Sequence, residues 1–551
     1  MISLNMTAMT QRKRNNHNFI WLPLALAVAL VCGILIGGNF AKSEQSYSKD
    51  RKLQSILNLI ASDYVDTTNI DQLLEMSIPE ILSNLDPHTS YFSAADLKAA
   101  NEDLNGSFSG IGISFVMNED TISVVEIIPG GPAEKVGILA GDRIVKINDS
   151  TFVGPKINSS DVMKKLRGNK GSQVKLGVKR NSSDKLLSFT VTRGDIPVNT
   201  VDARYMIDKT TGYVKVNQFG RHTYDEFLSA LNELREQGAK RYMIDLRGNG
   251  GGFMEMAIMM ANEFLPADQQ IVSTHGRYKR DDSEVWSDGN GSFQNEELVV
   301  LMDEFSASAS EIFAGAIQDN DRGLVVGCRS FGKGLVQKEY ILPDSSAIRL
   351  TIARYYTPSG RCIQKDYKKG ELDYEKDLYD RYMNGELYSA DSMKIDRSQV
   401  FTTLHGRTVY GGGGIVPDIF VPRDTSGITS YYVEVANAGL LQKFSFKYCD
   451  INRDALLKMK DYKQFLRLLP ADESLLKDFA DYAQKNGIAP RWYYINQSRD
   501  VILTNVKALI ARDIFGNGAL YPILNRNDET VQAALKALNK HKAAFPINNG
   551  N

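Results

Sequence analysis

A serine and a lysine, each within a distinctive short run, are the residues of this sequence best suited to covalent chemistry. Ser308 lies in the run FSASASE (residues 305–311), and Lys333 lies in the run SFGKG (residues 330–334). A serine hydroxyl is a poor nucleophile until a neighbouring base removes its proton. A lysine amine can be that base only when it is neutral, and burial among apolar neighbours favours the neutral form by lowering the pKa. The two runs therefore supply a candidate nucleophile and a candidate base.

A glycine-rich segment lies upstream of the serine. The strand-like run YMIDL (residues 242–246) leads directly into RGNGGG (residues 247–252). The main-chain N–H groups of such a loop can stabilise a negatively charged oxygen, although the same residues also fit a tight turn between a strand and a helix. A phosphate-binding loop would need Gly-Lys-Ser/Thr after its glycines. Because Phe253 and Met254 follow instead, a nucleotide site is excluded.

Other chemistries have little support in the sequence. His222, His275 and His405 each stand alone in a loop-like context, so we expect structural roles for them rather than a Ser/His/Asp triad. There is no HExxH motif, so we expect neither a metal site nor any other cofactor. The four cysteines contain no CxxC pair, which argues against a disulfide framework. A net charge of −1 gives no indication of a nucleic-acid partner.

The serine, lysine and glycine runs together resemble those of the carboxyl-terminal processing (tail-specific) peptidases, a serine peptidase family with a Ser/Lys dyad and a PDZ domain. The resemblance covers about residues 45–423 and implies that Ser308 is the nucleophile and Lys333 the base. Ser306 and Ser310 are the alternatives within the serine run. The register of the resemblance favours Ser308.

The resemblance also implies roles for further residues. Gln337 matches a glutamine that orients the base, and its other interpretation is a polar strand or loop residue. The N–H groups of Gly252 and Ala309 match the two oxyanion donors. Ala309 follows Ser308 at a predicted helix start, where free N–H groups and the helix dipole favour negative charge. Asp319 matches a supporting acidic position of some members and is also typical of a helix end.

Residues 104–195 resemble a PDZ domain. The run SGIGISF (residues 109–115) has small residues where a carboxylate-binding loop needs free N–H groups, and residues 130–148 resemble the short helix, turn and strand that follow. A PDZ groove binds an extended chain end by adding it as a strand, with its carboxylate on the loop amides. We therefore expect the peptide-binding residues to be Gly110, Ile111, Gly112 and Ile113.

The N-terminal segment predicts that the protein is attached to a membrane. Basic residues at positions 12–14 precede an uncharged, apolar stretch over residues 19–38, close to the ~20 residues that span a bilayer. We expect an uncleaved single-pass anchor in the inner (cytoplasmic) membrane, with a cleaved signal peptide as the alternative. The basic flank would stay in the cytoplasm, so the catalytic part is predicted on the periplasmic, extracytoplasmic side.

The periodicity and turn signals predict an α+β, mixed α/β multidomain protein. We interpret residues 363–400 as a solvated insertion, residues 492–494 as core aromatics, and His88 as a turn residue. The C-terminal helical extension carries no motif, and packing on the core, dimerisation and partner binding all stay open for it. The predicted segments are a cytoplasmic flank (1–18), a transmembrane anchor (19–38), a helical lead-in (45–103), a PDZ domain (104–195), a peptidase core (198–423) and a helical C-terminal extension (426–551).

The sequence thus predicts a membrane-anchored serine endopeptidase that recognises the C-terminal tails of protein substrates through a PDZ domain. The main alternative is a catalytically silent PDZ scaffold that binds protein C-termini. A second alternative is a related peptidase that cuts short peptides without a tail preference. A homo-oligomer or an activating partner stays open.

Overall fold

A computed structural model describes residues 27–31, 33, 51–118, 121–154, 157–180, 183–368 and 370–540. The chain divides into two compact units, of which the first ends at Ile81 and the second begins at Leu82. In the first unit, residues 51–63 are helical, and helix α1 (Ile70–Ser83) begins. The second unit contains every motif that could carry chemistry.

The predicted membrane anchor falls mostly outside the described residues. Of residues 19–38, only 27–31 and 33 are described, and these are helical and exposed. The basic flank (1–18) lies entirely outside the described residues. Within the part of the chain that is described, no helix combines the length and the apolar character that a membrane crossing requires.

The second unit opens with a turn, a short strand and a helix. Helix α1 ends shortly before Asp86-Pro87, as expected from the restriction that proline places on the residue before it. Strand β1 (Ser90–Phe92) pairs antiparallel with a later strand over Ala347–Tyr356, with Ser90 opposite Arg349. Helix α2 (Ala94–Leu104) follows. The lead-in therefore supplies an edge strand to a sheet of the following core.

The region predicted as a PDZ domain forms a six-stranded sheet, a two-stranded sheet and two helices. The larger sheet has strand order β3-β4-β5-β7-β8, with β6 paired to β5, and β2 pairs separately with β9. Strand β3 lies at the edge of the sheet. The elements are β2 (Ser107–Gly110), β3 (Ile113–Asn118), β4 (Thr121–Ile127), α3 (Pro132–Lys135), β5 (Arg143–Ile147), β6 (Ser150–Thr151), α4 (Ser159–Leu166), β7 (Gln173–Lys179), β8 (Leu187–Thr192) and β9 (Gly194–Pro197).

The core that follows is built on a six-stranded sheet of order β10-β11-β12-β15-β16-β21. All neighbours from β11 to β21 are parallel, and only β10 is antiparallel to its neighbour. One face of the sheet packs against α5, α6 and α7. The elements are β10 (Val201–Met206), β11 (Thr211–Val216), α5 (Thr223–Glu236), β12 (Arg241–Asp245), α6 (Met254–Asn262), β15 (Glu297–Met302), α7 (Ala309–Asp319), β16 (Leu324–Gly327) and β21 (Ile419–Phe420).

A second sheet and a small hairpin complete this core. The second sheet has order β1-β18-β13-β14, with β17 paired to β18, and confirms the predicted mixed α/β architecture. Helix α8 and the hairpin β19–β20 follow β18. The elements are β13 (Gln270–Gly276), a 3₁₀ turn (Lys279–Asp281), β14 (Ser283–Trp286), β17 (Leu335–Ile341), β18 (Ala347–Tyr356), α8 (Glu371–Met383), a 3₁₀ turn (Ala390–Ser392), β19 (Val400–Thr402) and β20 (Thr408–Tyr410).

The interpretation of residues 363–400 as a solvated insertion is wrong for one face of the segment. Tyr374 and Arg381 on α8 are buried, as are Lys365 and Glu386 on either side of the helix. The charges are neutralised in pairs, because Arg329 binds Glu386 and Asp377 binds both Lys365 and Arg381. A count of charged residues overestimated the solvation of this segment, since paired charges can be buried.

The C-terminal region is helical, as predicted, and packs around a core of its own. Its last helix instead packs on the free face of the six-stranded sheet that begins with β10. The expectation of core aromatics at residues 492–494 is wrong, since Trp492, Tyr493 and Tyr494 are 44%, 71% and 38% exposed. The helices are α9 (Ser430–Asn437), α10 (Leu440–Leu456), α11 (Tyr462–Leu468), α12 (Asp472–Lys485), α13 (Trp492–Gln497), α14 (Arg499–Phe515), α15 (Asn517–Leu524) and α16 (Glu529–Asn539).

Candidate active site

Ser308 lies at the junction between the central sheet and helix α7. Strand β15 ends at Met302, and Ser308 is the residue immediately before the helix. Its backbone has φ 57° and ψ −115°, a conformation that non-glycine residues rarely adopt. Such strain costs on the order of 1–3 kcal/mol and persists only where the surrounding structure enforces it. The fold thus holds Ser308 half-buried at the positive end of a helix dipole.

The two neighbouring serines hold the main chain of the glycine loop. Ser306 Oγ donates to the carbonyl oxygen of Leu246 at 2.9 Å, and Ser310 Oγ donates to that of Asn249 at 2.9 Å. Both serines are completely buried, whereas Ser308 is partly exposed. Of the three serines in the run, Ser308 is therefore the one that a substrate could reach.

The glycine loop passes directly against Ser308. A Cβ atom on Gly251 would lie 2.7 Å from Ser308 Cβ and 3.0 Å from the nitrogen of Ala309. A Cβ atom on Gly252, where φ is +144°, would lie 2.2 Å from the carbonyl oxygen of Phe219. Only glycine fits at these two positions, because a side chain would displace main-chain atoms of the neighbouring segments.

The two predicted oxyanion donors border this contact. Phe219 forms a parallel bridge with Gly252 through hydrogen bonds to the two neighbours of that glycine. The N–H of Phe219 donates to the carbonyl oxygen of Gly251 at 2.9 Å, and the carbonyl oxygen of Phe219 accepts from the N–H of Phe253 at 2.7 Å. The N–H of Gly252 therefore points away from Phe219. The N–H of Ala309 is the first of α7 and has no partner within the helix.

A buried carboxylate joins the serine to the lysine. Glu311 is completely buried, and its Oε2 accepts from the N–H of Ser308 at 2.8 Å and from the N–H of Lys333 at 2.9 Å. Its Oε1 accepts from the N–H of Gly332 at 2.7 Å and from the hydroxyl of Ser330. The structure thus brings the main chains of Ser308 and Lys333 within reach of a single oxygen atom. Sequence reasoning missed this role, although the identity of residue 311 as a helix-start glutamate was a usable signal.

Tyr355 on β18 joins the same two residues from another direction. Its side chain is 1% exposed, and its hydroxyl lies within hydrogen-bonding distance of the carbonyl oxygens of both Ser308 and Lys333. The carboxylate of Glu311 therefore receives the N–H groups of the pair, while the hydroxyl of Tyr355 faces their carbonyls. No local pattern around Tyr355 could have indicated this contact.

The environment of Lys333 favours the neutral amine. Burial lowers the pKa of Lys333, and the Arg349 guanidinium lowers it further, while the carboxylates of Glu311 and Asp86 oppose this shift. The net pKa lies below the ordinary lysine value. In the described residues, the lysine Nζ makes no hydrogen bond and no ion pair, so the attraction of Glu311 and Asp86 acts on it without direct contact.

His88 lies in the same environment and is more than the turn residue that we expected. Burial lowers the pKa of His88 to about 4, with a further contribution from the positive charge that Lys333 carries when it is protonated, so the His88 ring is neutral at physiological pH. Its Nε2 lies 2.7 Å from the hydroxyl of Tyr374 on α8. The lead-in therefore contacts the side of the site that holds the base.

Gln337 lies on β17, and in the described structure its side chain forms no hydrogen bond with Lys333. Its Nε2 donates to Thr351 Oγ1 at 3.3 Å, and Thr351 Oγ1 donates to Asp86 Oδ1 at 3.0 Å. The predicted role of Gln337 in orienting the base stays a prediction. Its connection to Asp86 was not foreseeable, because the two residues lie far apart in the sequence.

The loop that carries Lys333 is held from behind by the segment around α8. Arg381 donates to the carbonyl oxygens of Ser330 at 2.7 Å and of Phe331 at 3.2 Å. The Lys365 ammonium lies 3.9 Å from the ring centroid of Phe331 and 4.0 Å from that of Tyr374. This segment therefore fixes the position of the candidate base.

The other candidate residues have structural partners. Asp319 forms a fully buried ion pair with Arg361 at 2.7 Å and accepts from Thr357 and Ser359, which fits its helix-end interpretation. His275 lies 3.9 Å from Asp282, and His405 lies 3.1 Å from Asp321. His222 precedes α5. In the described residues, no group of three or more His, Cys, Asp or Glu side chains is arranged to hold a metal ion.

The four predicted peptide-binding residues line a groove in the second candidate site. A cavity of about 350 Å³ is lined by residues of the edge strand β3, such as Ile113, and of helix α4, such as Met163. Its lining is apolar apart from the side chains of Ser114, Ser159 and Arg167. The cavity is lined by Phe108, Gly110, Ile111, Gly112, Ile113, Ser114, Phe115, Ser159, Met163, Leu166 and Arg167.

Comparison with known proteins identifies the family to which this chain belongs. The model of peptidase family S41 matches residues 210–372, that of the PDZ domain matches residues 109–191, and that of a family of unknown function matches residues 431–516. The carboxy-terminal-processing protease of Bartonella bacilliformis is 34% identical over 354 residues, which cover 63% of this chain and 80% of that protein. The carboxy-terminal processing protease CtpB of Bacillus subtilis is 33% identical over 362 residues, or 65% of this chain and 73% of that protein.

Among solved structures, a photosystem II D1 C-terminal processing protease matches with a TM-score of 0.34 and 25% identity, over 67% of this chain and 92% of that one. On the sequence matches, the chain belongs to peptidase family S41 and is a serine-type peptidase of the carboxy-terminal processing class with a PDZ domain.

Replacement of Glu311 by glutamine tests whether this buried carboxylate assembles the site. The amide NH₂ would face two N–H or O–H donors that now bond to carboxylate oxygen. We expect peptidase activity to fall by about 100-fold, since small displacements of catalytic groups have effects of this size. We also expect a loss of about 1–3 kcal/mol in the free energy of unfolding, because buried donors lose their acceptors. Peptide cleavage and urea unfolding measure the two effects.

The matched control is Glu236→Gln, at the exposed end of α5. This variant should change neither the peptidase activity nor the free energy of unfolding. Full activity in Glu311→Gln would contradict the role given to this residue.

Proposed function

We propose that this protein is a membrane-anchored endopeptidase that captures protein substrates by their C-terminal tails and cleaves them with a Ser308/Lys333 dyad. The observation that carries the proposal is the Glu311 carboxylate, whose Oε2 accepts from the N–H groups of both residues. The strained backbone of Ser308 and the lowered pKa of Lys333 support it further, because both are typical of catalytic groups. Gln337 would orient the base.

In the proposed reaction, Ser308 Oγ attacks the carbonyl carbon of the scissile peptide bond while the neutral amine of Lys333 takes the hydroxyl proton. The carbonyl oxygen becomes an oxyanion, to which the N–H groups of Gly252 and Ala309 donate. The C–N bond then breaks, and the Lys333 ammonium returns the proton to the leaving amine. A water molecule next attacks the acyl carbon and gives a proton to Lys333. The bond between the acyl carbon and Ser308 Oγ then breaks, Lys333 returns the proton to Ser308 Oγ, and the carboxylic acid product leaves. Each oxyanion donor contributes roughly 3 kcal/mol to the barrier reduction.

The groove of the PDZ domain would provide the substrate selection. Strand β3 has one partner, β4, and a substrate tail can pair with its other edge. The main-chain amides of Gly110 to Ile113 would receive the terminal carboxylate. The apolar cavity beside Met163 would then accept an apolar side chain of the tail.

The proposed location rests on the sequence of residues 12–38. The length and lack of charge of residues 19–38 suit a bilayer, and the basic residues before them suit the cytoplasmic side. The peptidase would then act on the periplasmic or extracytoplasmic side of the inner membrane. The scaffold alternative is not favoured, because a protein that only bound tails would need neither the strained Ser308 nor the buried Lys333.

Cleavage of an unstructured protein tests the dyad directly. We expect the full chain, purified in mild detergent, to degrade β-casein. The variants Ser308→Ala and Lys333→Ala should lose this activity by at least about a thousandfold, because each removes a group that acts in every bond-making step. Gel densitometry measures cleavage, and circular dichroism checks that the variants are folded.

The variants Ser229→Ala and Lys240→Met serve as comparisons, since both side chains are exposed elsewhere on the same core and have no part in the proposed proton transfer. Unchanged cleavage by folded Ser308→Ala would reject the assignment of the nucleophile. A silent parent protein would instead favour the scaffold.

The pH dependence tests the base. Neutral Lys333 is the active form, so kcat/KM should rise with pH through the Lys333 pKa and should do so below the ordinary lysine range. The charged or titratable groups that face Lys333 are Glu311, Arg349, Asp86 and His88. Removing a negative charge lowers the pKa, and removing a positive charge raises it.

Asp86→Asn should therefore move the acidic limb of the profile to lower pH, and Arg349→Gln should move it to higher pH, each by on the order of half a pH unit. Shifts of the acidic limb in opposite directions would identify Lys333 as the titrating group. General structural damage would not depend on whether the replaced side chain was negative or positive. Shifts in one direction, or none, would mean that a group other than Lys333 titrates.

A charge in the groove tests tail capture. Met163→Arg places a cation in the apolar cavity, so we expect the preference for a protein with an apolar C-terminal tail over its untailed form to disappear. Cleavage of untailed β-casein should stay within about twofold of the parent. Leu186→Arg, an equally exposed change elsewhere in the same domain, should keep the preference. A preference retained by Met163→Arg would show that the groove does not select substrates.

A further inference from the structure

The last helix of the chain lies outside the residues matched by the peptidase family, yet it packs on the peptidase sheet. Helix α16 contributes Val531, Ala534, Ala537 and Leu538 to a buried cluster with the face of the sheet opposite α5–α7. The helix is capped by Asp528, whose Oδ1 accepts from the N–H of Val531 at 2.8 Å.

The other carboxylate oxygen of Asp528 binds the first residue of the glycine loop. Asp528 Oδ2 accepts from Arg247 Nη1 at 2.8 Å. The remaining guanidinium nitrogens of Arg247 bind Asp245, with Nη2 at 2.7 Å and Nε at 3.1 Å from the carboxylate. Arg247 is therefore held between the end of strand β12 and the start of α16.

The main chain of Arg247 sets the path of the loop toward Gly252. Its N–H donates to Asp245 Oδ1 at 2.9 Å, and its carbonyl oxygen accepts from Lys215 Nζ. The next residue, Gly248, donates its N–H to Asp303 at 2.9 Å. A displacement of Arg247 would therefore be transmitted to the loop that passes against Ser308.

The charges around Arg247 balance only when Asp528 is included. Lys215 and Arg247 are cations, and among the described residues Asp245 is the anion that both contact on the strand side of this cluster. Burial alone would raise the pKa of Asp245, but Arg247 and Lys215 hold it well below its usual range. Asp528 supplies the second negative charge. The ion pair is largely shielded from solvent, because the side chains of Asp528 and Arg247 are only 28% and 20% exposed. Without Asp528, the cluster has one uncompensated cation.

We infer that Asp528 is a positioning residue for peptide cleavage: through Arg247 it fixes the glycine loop that presents the Gly252 N–H to the reacting carbonyl. The inference rests on the proposed role of Gly252 as an oxyanion donor. It gives the C-terminal extension a part in assembling the active site, although Asp528 itself would not touch the reacting atoms.

Asp528→Asn separates the two contacts of this side chain, which are the cap of helix α16 and the ion pair with Arg247. Asparagine caps a helix as well as aspartate does, so its oxygen can keep the bond to Val531. Its NH₂ group then faces the guanidinium, where a donor meets a donor. In the full chain we expect kcat for a fluorogenic peptide to fall by about tenfold to a hundredfold with KM within twofold, since the loop acts on the transition state. Inhibition by a peptide aldehyde, whose hemiacetal oxygen needs the same N–H groups, should weaken in proportion.

Asp461→Asn is the matched control, because Asp461 caps α11 in the same region by accepting from the N–H of Gln464 at 2.8 Å. It should leave both kcat and aldehyde inhibition unchanged. Asp528→Glu, which keeps the charge, should recover part of the lost kcat. If Asp528→Asn does not fold, Asp528→Ser keeps a capping oxygen and takes its place.

Ser308→Ala, assayed in parallel, separates this inference from the proposed function. An inactive Ser308→Ala beside a fully active Asp528→Asn would overturn the positioning role and leave the dyad standing. An active Ser308→Ala would overturn the dyad itself. A rise in KM with unchanged kcat would also overturn the inference, because it would place Asp528 in substrate binding.

Discussion

The carboxylate of Glu311 is the interaction on which the candidate site depends. Two segments with no regular structure must meet there, the turn before α7 and the loop between β16 and β17, and both direct N–H groups at this one side chain. A buried carboxylate is tolerable only when its oxygens accept several hydrogen bonds and its charge has compensation. The N–H donors provide the hydrogen bonds, and the positive end of the α7 helix dipole compensates part of the negative charge. The two segments and the carboxylate therefore stabilise one another.

The same carboxylate creates a conflict for the base. Its negative charge raises the pKa of Lys333, whereas a general base must be neutral to accept a proton. Burial and Arg349 act in the opposite direction and outweigh it. The balance would serve the proposed reaction, because an ammonium formed if Lys333 took the serine proton would lie near the Glu311 carboxylate. An environment that kept the lysine neutral without such an anion would oppose the charge that develops during the reaction.

Short runs of sequence indicated the candidate nucleophile, the candidate base and the glycine loop, because each needs its chemistry within a few neighbouring residues. Glu311 was visible only as a helix-start residue, and Tyr355 and Arg381 gave no signal, since their roles arise from contacts between segments remote in sequence. The errors have a similar origin. Residues 363–400 looked solvated because their charges were counted before their pairing was known, and Trp492 looked buried because apolar character does not reveal which face of a helix is covered.

The central sheet also shows why the C-terminal extension cannot be treated as an appended module. Strands β11, β12 and β15 alternate between two apolar faces, as expected for parallel strands covered on both sides. Helices α5–α7 cover one face, and Tyr213, Met243 and Val299 on the other face are fully buried against a cluster that includes α16. Burial of each such side chain contributes about 1.5–3 kcal/mol, so the sheet would lose much of its stability without the helix. A segment that the peptidase sheet needs for folding is well placed to carry a residue that also fixes one of its loops. The physical core of the peptidase therefore extends to the end of α16, beyond the residues that resemble its family.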